Sequence, residues 1–365
     1  MHYEAEILRT LFLCKRFPQQ RDLIERPYGR FHYLPTLLAG MGHEVHVVLC
    51  SHANLPQLEC TRDGVHWFSH DLRTQGLRGF LAGIRRQATT FRPDWVVGCS
   101  DAWYGPLASY LAARCGARLA IDAYDNYEAY MPWNLPLHWF WRRSIHTADL
   151  VTAAGPQLAA RLDRHRRGRT PTLTVSMAAD PAFAPLDPAT ARSALKLPPD
   201  APLIGYSGGW AANRGTDVLL DAFRLLRKQC PDAHLVLTGK PPARVLAEPG
   251  VLVLGYLPDG QLPTALSALD VACVITADTS FGRYSYPAKL CEAMACNVAV
   301  VATATEPVRW MLHDDARHLV PIGDARKIAE RILGLLNHGR VVYSGRQTWE
   351  DSARLFDAAL RAVRT

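Results

Sequence analysis

The sequence predicts an α/β chain built on two parallel sheets, and three observations carry that prediction. Short apolar runs alternate with segments of helical period along the whole chain, as in sheets covered by helices on both faces. The alternation runs before residue 178 and resumes after residue 202, across a stretch holding Pro181, Pro185, Pro188, Pro198, Pro199 and Pro202. At 365 residues and 48% hydrophobic content, the chain exceeds a usual single core and has apolar mass for two. In the first half, strands are expected at residues 7–13, 44–49, 94–98, 118–121 and 150–153, with helices near 30–41, 77–91, 104–114 and 157–164. In the second half, strands are expected near Leu203, Leu235, Val251, Val271, Val298 and Leu319, before a last helix at about 348–363.

Composition narrows the functional classes. Nine cysteines are scattered without a CxxC pair, and residues 1–13 carry no basic leader before a long apolar run, so reduced thiols in a cytoplasmic protein are expected. Cys291 and Cys296 read as small apolar fillers. No run approaches the length of a membrane span. Fourteen histidines include no HxH or HExxH set, so no metal site is expected, and His32, His43, His46, His66 and His70 read as strand-edge or surface residues. The net charge of +7 is concentrated at Arg161, Arg164, Arg166, Arg167 and Arg169 and in LPLHWFWRRSIH, residues 135–146. Such a basic and aromatic pairing suits anionic head groups, at about 1 kcal/mol per cation, or equally an aromatic core with arginines on its wet face. No module or stacking platform for nucleic acid accompanies the charge.

Two segments carry chemistry. PAKLCEAMACNVAVVAT, residues 287–303, reads as a helix opened by Pro287 that runs into a buried strand, preceded by a polar and aromatic loop holding Tyr284, Ser285 and Tyr286. Unpaired amides at such a helix start, around Ser285, Pro287, Ala288 and Lys289, suit a diphosphate, and Glu292 one turn on suits two ribose hydroxyls. The same spacing also suits an ordinary Glu292–Lys289 surface pair. In PLIGYSGGWAANRGTDVLLDAFRLL, residues 202–226, a strand meets the Gly208–Gly209 turn, Arg214 faces the next helix start, and Thr216 or Asp217 is expected to cap it. Neither the dinucleotide fingerprint nor the P-loop is met.

Together these segments resemble the group 1 (family 4) glycosyltransferases of retaining type. The likeness runs through GYSGGWAANRG (205–215), LVLTG (235–239), LGYLP (254–258), ALDVACV (268–274) and CEAMACNVAVVAT (291–303). It extends more faintly to GHEVHVV (42–48), FRPDWVV (91–97), ADLVTAA (148–154) and AADPAFAP (178–185). The resemblance implies a GT-B fold, two Rossmann-like domains whose sheets face across a cleft. It implies an acceptor-side domain at 1–180, a nucleotide-sugar domain at 181–346, a terminal helix at 347–365 returning to the first domain, and a hinge near 178–185. It further implies sugar transfer with retention from a UDP- or GDP-sugar to a saccharide or lipid-linked acceptor, with no cofactor or metal and possible contact at the inner face of a membrane. Gly208, Gly209, Arg214, Tyr284, Ser285, Tyr286, Pro287, Ala288, Lys289, Glu292, Gly255 and Tyr256 would hold the donor, the last two near its base.

Departures accompany the likeness. The family's first carboxylate, eight residues before Glu292, is here Tyr284, and its first diphosphate cation falls at Gly208 or Gly209, with Arg283 or Lys289 as spatial substitutes. The glycine after "MAC" is Asn297, which tolerates left-handed backbone. In IDAYDNYE (121–128), Asp125 with neighbours Asp122 and Tyr124 is either a cleft residue or a turn cap. Catalytic roles therefore fall to Arg214, Lys289 and Asp125, with acceptor entry near 27–30 and 124–130. A binding-only partner and a nucleotide-sugar epimerase are the alternatives.

Overall fold

In a computed structural model, which describes residues 6–18, 21–211 and 214–363, the chain divides into two units. One comprises residues 1–177 with 347–365, and the other residues 178–346.

The first unit holds an eight-stranded sheet: β1 (Arg9–Lys15), β2 (Glu44–Ser51), β3 (Leu58–Arg62), β4 (Val65–Asp71), β5 (Trp95–Cys99), β6 (Arg118–Ala123), β7 (Leu150–Ala153) and β8 (Leu173–Thr174). Its order is β3-β4-β2-β1-β5-β6-β7-β8. All pairings are parallel except β3 with β4. That hairpin was not expected from the apolar pattern. Asp63 and Gly64 close it with φ of 52° and 74°, the two-residue turn geometry that Asp-Gly favours. The helix expected at 77–91 follows a kink at Gly76, φ 63°, and a short helical segment from Leu72 precedes it, capped by Asp71, which accepts hydrogen bonds from the Arg73 and Thr74 amides. His32, His43 and His70 are buried, not at the surface, and the His46 ring stacks on Phe91 with centroids 3.6 Å apart.

Arg30 and Asp122 clamp the carboxyl side of this sheet. The guanidinium donates two bonds of 2.6 Å to the Asp122 carboxylate and a third of 2.6 Å to the Val175 carbonyl. Both side chains are almost fully buried. Arg30, expected near the acceptor entry, and Asp122, expected as a neighbour of Asp125, are both buried in this pair.

The terminal helix Trp349–Ala362 is capped by a reciprocal Thr348–Asp351 pair and buries Trp349, Ala353, Phe356 and Leu360 on one stripe. Trp349 stacks on Tyr33 at 5.5 Å, and Phe356 packs on Phe12 at 6.2 Å. His43 Nδ1 accepts the Leu8 amide, so its Nε2–H donates to Asp357 at 2.9 Å.

The second unit holds six parallel strands: β9 (Leu203–Tyr206), β10 (His234–Thr238), β11 (Val251–Gly255), β12 (Val271–Val274), β13 (Ala299–Thr303) and β14 (Leu319–Val320). Their order is β11-β10-β9-β12-β13-β14. One face is packed by helices Thr216–Arg227 and Ala325–Leu336, the other by Leu262–Ser267 and Ala288–Ala295. Asn297 takes φ of 54° as the chain leaves Ala288–Ala295, which a left-handed-tolerant residue permits.

Removing one partner of the Arg30–Asp122 pair leaves a buried charge alone, so Asp122→Ala is expected to cost about 3–5 kcal/mol in urea unfolding. The double change Arg30→Met with Asp122→Leu should recover much of that loss.

Candidate active site

In the second unit, strand ends and helix starts converge on Gly208. This residue has φ of 127°, a backbone region natural to glycine. A methyl group built on it would lie 3.2 Å from Lys289 Nζ, 3.7 Å from an Arg214 guanidinium nitrogen and 3.9 Å from the Tyr206 hydroxyl. A methyl on Gly239 would meet the Gly208 carbonyl at 3.7 Å and the Tyr256 ring at 3.9 Å. The carboxyl ends of β9, β10 and β11 therefore meet the residues leading into two helices, where parallel α/β sheets characteristically bind ligands.

Lys289 lies over the Tyr206 ring, 4.5 Å from its centroid and 3.5 Å from its hydroxyl. Surrounding protein and the Arg214 charge hold its pKa down to about 8, with Glu292 opposing them. Burial raises the Tyr206 phenol, which Arg214 opposes through charge and a hydrogen bond. Of the two spatial substitutes considered, Arg283 and Lys289, it is Lys289 that lies beside Gly208 and Arg214. Arg283 is exposed and paired with Asp278 at 2.6 Å. Two cations beside one backbone turn make a receptor for a compact dianion.

The structure adjusts several expected roles. The Gly208 amide donates to Thr238 Oγ1 at 3.2 Å, so it is engaged inside the turn, while the Gly209 carbonyl accepts from the Tyr206 hydroxyl at 3.3 Å. Neither Thr216 nor Asp217 caps its helix. Gly215 occupies the cap with φ of 73°, Thr216 bonds Ala211, and Asp217 pairs with Arg244. Tyr284 ends a short turn, Gly282–Tyr284, and Ser285 leaves it in extended conformation. The Tyr286 ring is buried edge-on against Trp310 at 5.8 Å, so it braces the loop. Pro287 is the cap and Ala288 the first residue of the Glu292 helix. Glu292 lines a small pocket with Tyr206, Ser207, Thr238, Leu254 and Leu266. Gly255 takes φ of 70° and turns the chain into Tyr256, which is 85% exposed. Tyr206 and Thr238 were missed in the sequence, although each is the last residue of a strand that ends at a glycine-bearing turn.

In the first unit, Asp125 is buried just beyond β6 and accepts a 2.7 Å bond from the Tyr130 hydroxyl. The Tyr130 hydroxyl also lies 3.3 Å from that of Tyr124. Burial raises Asp125 to about 7, against the pull of the Tyr130 bond. Next to it, Glu128 joins Arg142 and Arg161 at 2.6 Å each.

Comparison with known proteins agrees with this geometry. Residues 201–338 match the family described as Glycosyl transferases group 1, and residues 30–178 match the Glycosyl transferase 4-like domain. The chain belongs to the group 1 glycosyltransferases. It is 31% identical over 279 residues to the D-inositol 3-phosphate glycosyltransferase of Mycolicibacterium gilvum, covering 64% of this chain and 57% of that protein. It is 32% identical over 132 residues to the phosphatidyl-myo-inositol mannosyltransferase of Mycobacterium leprae, 34% of each. The chain thus spans little more than half of the first relative and a third of the second. Sucrose-phosphate synthase from Thermosynechococcus elongatus superposes with a TM-score of 0.69 at 16% identity, over 98% of this chain and 99% of that one. Anabaena Alr3699/HepE in complex with UDP-glucose gives 0.66 at 14% identity, over 98% and 94%. The fold is GT-B.

Two pH effects follow. UDP or GDP affinity, read by calorimetry, should fall as pH rises through about 8, where Lys289 loses its charge, and Lys289→Met should flatten that dependence. Asp125 binds its proton more tightly when folded, so it lowers stability progressively as pH rises from 3.8 to about 7. Asp125→Asn should therefore raise the melting temperature at pH 8 and change it little at pH 4.

Proposed function

We propose that the protein is a retaining glycosyltransferase that moves a sugar from a UDP- or GDP-linked donor to an acceptor hydroxyl, in the synthesis of a glycan, glycolipid or glycosylated metabolite. The observation that carries this reading is the gathering of Lys289 and Arg214 over Gly208, with Glu292 lining the neighbouring pocket. Breaking the glycosidic bond builds negative charge on the leaving diphosphate. Fixed cations stabilise that charge without reorganising, an effect commonly amounting to several kcal/mol.

Arg214 and Lys289 take the diphosphate, and the amides around Ser285, Pro287, Ala288 and Lys289 add to them. Glu292 accepts the ribose hydroxyls, while Gly255 and Tyr256 flank the base. Tyr284 meets the sugar through a phenol in place of the family's carboxylate. The departing phosphate oxygen takes the acceptor proton on the face it leaves, which retains configuration and needs no separate base. Asp125 contacts the acceptor from the first unit. No resident metal or cofactor enters this scheme.

The UDP-glucose complex of the Anabaena protein supports a nucleotide-sugar donor. The relatives named for D-inositol 3-phosphate and phosphatidyl-myo-inositol support an inositol-type acceptor, lipid-linked in the second case. A lipid-linked acceptor would bring a cytoplasmic enzyme to the inner face of a membrane.

Nucleotide release from a panel of UDP-, GDP- and dTDP-sugars, with candidate acceptors and with product anomers resolved by NMR, tests the reaction. Turnover should survive EDTA and retain configuration. Binding without turnover across the panel would leave a binding-only partner, and an isomerised donor an epimerase. Glu292→Ala should weaken nucleotide binding by about 2 kcal/mol, roughly thirtyfold, by removing a charge-assisted bond. Unchanged affinity in a folded variant would refute the site.

A further inference from the structure

The helix Leu135–Thr147 presents an exposed face of unusual composition. Trp133, just before it, is 76% exposed, followed by Leu135 at 68%, Trp139 at 58% and Phe140 at 51%, whereas Trp141 is buried. The aromatic segment thus divides, with one ring filling the core and the others left in water. Leu135, Trp139, Arg142, Arg143 and His146 follow one another at helical spacing, so they share one stripe. The Trp139 and Phe140 rings meet edge-on at 4.9 Å, and the Arg143 guanidinium lies 5.9 Å from the Trp139 ring centroid.

Basic charge adjoins the carboxyl end of this stripe. The turn after helix Pro156–Asp163 is fastened there by the Arg166 guanidinium, which donates to the Ile145 and Ala148 carbonyls at 2.7 and 3.0 Å. His146 Nδ1 lies 3.1 Å from the His165 carbonyl. Arg164, Arg167 and Arg169 stand exposed on that turn. Neither residues 135–147 nor residues 164–170 contain an acidic residue.

We propose that this face is a membrane-docking surface, with Trp133, Leu135, Trp139 and Phe140 entering the interface of an anionic bilayer and Arg143, Arg164, Arg167 and Arg169 meeting its head groups. Indole rings suit the boundary between head groups and acyl chains, and the neighbouring cations supply attraction where aromatic contact alone is weak. A second copy of the chain fits this face poorly. A two-fold contact would bring the same patch to itself and set arginines against arginines, while the neighbouring Glu128 carboxylate is buried and already engaged by Arg142 and Arg161. The proposal deepens the lipid-linked acceptor reading and rests on it for its purpose, but docking itself requires neither donor nor acceptor.

Cosedimentation of the full chain with vesicles of phosphatidylcholine and phosphatidylglycerol, against vesicles of phosphatidylcholine alone, tests it. Binding is expected to the anionic vesicles, weakened by salt, with a blue shift of tryptophan fluorescence. Trp139→Ser with Phe140→Ser, and separately Arg143→Glu with Arg167→Glu, should each lower vesicle affinity roughly tenfold while UDP or GDP affinity stays as in the unaltered chain. No vesicle binding by the unaltered chain, equal binding by either variant, or self-association that the Trp139→Ser, Phe140→Ser change abolishes without any vesicle binding would each overturn the proposal. Nucleotide binding is read in the same samples, so loss of the donor-site reading would be seen there and not in the vesicle pellet.

Discussion

Two positive charges held beside one glycine turn are the constraint on which the second unit's chemistry depends. Burial of the Lys289 amine, and after it the repulsion from Arg214, appear together as the depressed proton affinity of the lysine. The fold maintains the arrangement because separate elements fix each member. Lys289 is on a helix set by Pro287, Arg214 precedes another helix, and Tyr206 ends the strand between them, offering its ring face to the amine. A Cβ at position 208 would press on the Lys289 amine and come into contact with the Arg214 guanidinium, so the open space beside this residue is itself part of the site. A bound dianion would relieve the repulsion that its absence leaves in place, and ligand binding and local stability are therefore linked.

The first unit handles charge differently. Arg30 and Asp122 satisfy one another and the β8-side carbonyl of Val175 in a sealed environment, so their charges go to rigidity. Asp125, three residues further along, is buried against the Tyr130 hydroxyl with no cation shown beside it, and burial gives it proton affinity near neutrality instead. Two carboxylates in one short segment thus acquire opposite characters from what surrounds them.

Much of this was legible in the sequence where the signal is local. The parallel strands, the proline-marked helix start and the left-handed Asn297 each follow from a few adjacent residues. What was not legible depends on distance along the chain. Arg30 meets Asp122 across 92 positions and Lys289 meets Tyr206 across 83, and no periodicity encodes such pairs. The antiparallel hairpin is a different case. Its Asp63-Gly64 turn is a local signal, but strand β3 is largely exposed and lacks an apolar run. His32, His43 and His70 were misjudged because their burial comes from packing, as with His43 beneath the terminal helix, whereas His66 is exposed as expected.

That terminal helix makes the first unit discontinuous in the chain. Trp349 and Phe356 complete a core whose other residues were synthesised more than 170 positions earlier, with the entire second unit between. On the ribosome, the first unit must therefore wait with an apolar groove uncovered while its neighbour is made. Nascent chains would be most exposed to aggregation or chaperone capture during that interval, and stalling before residue 349 would yield a first unit without its lid.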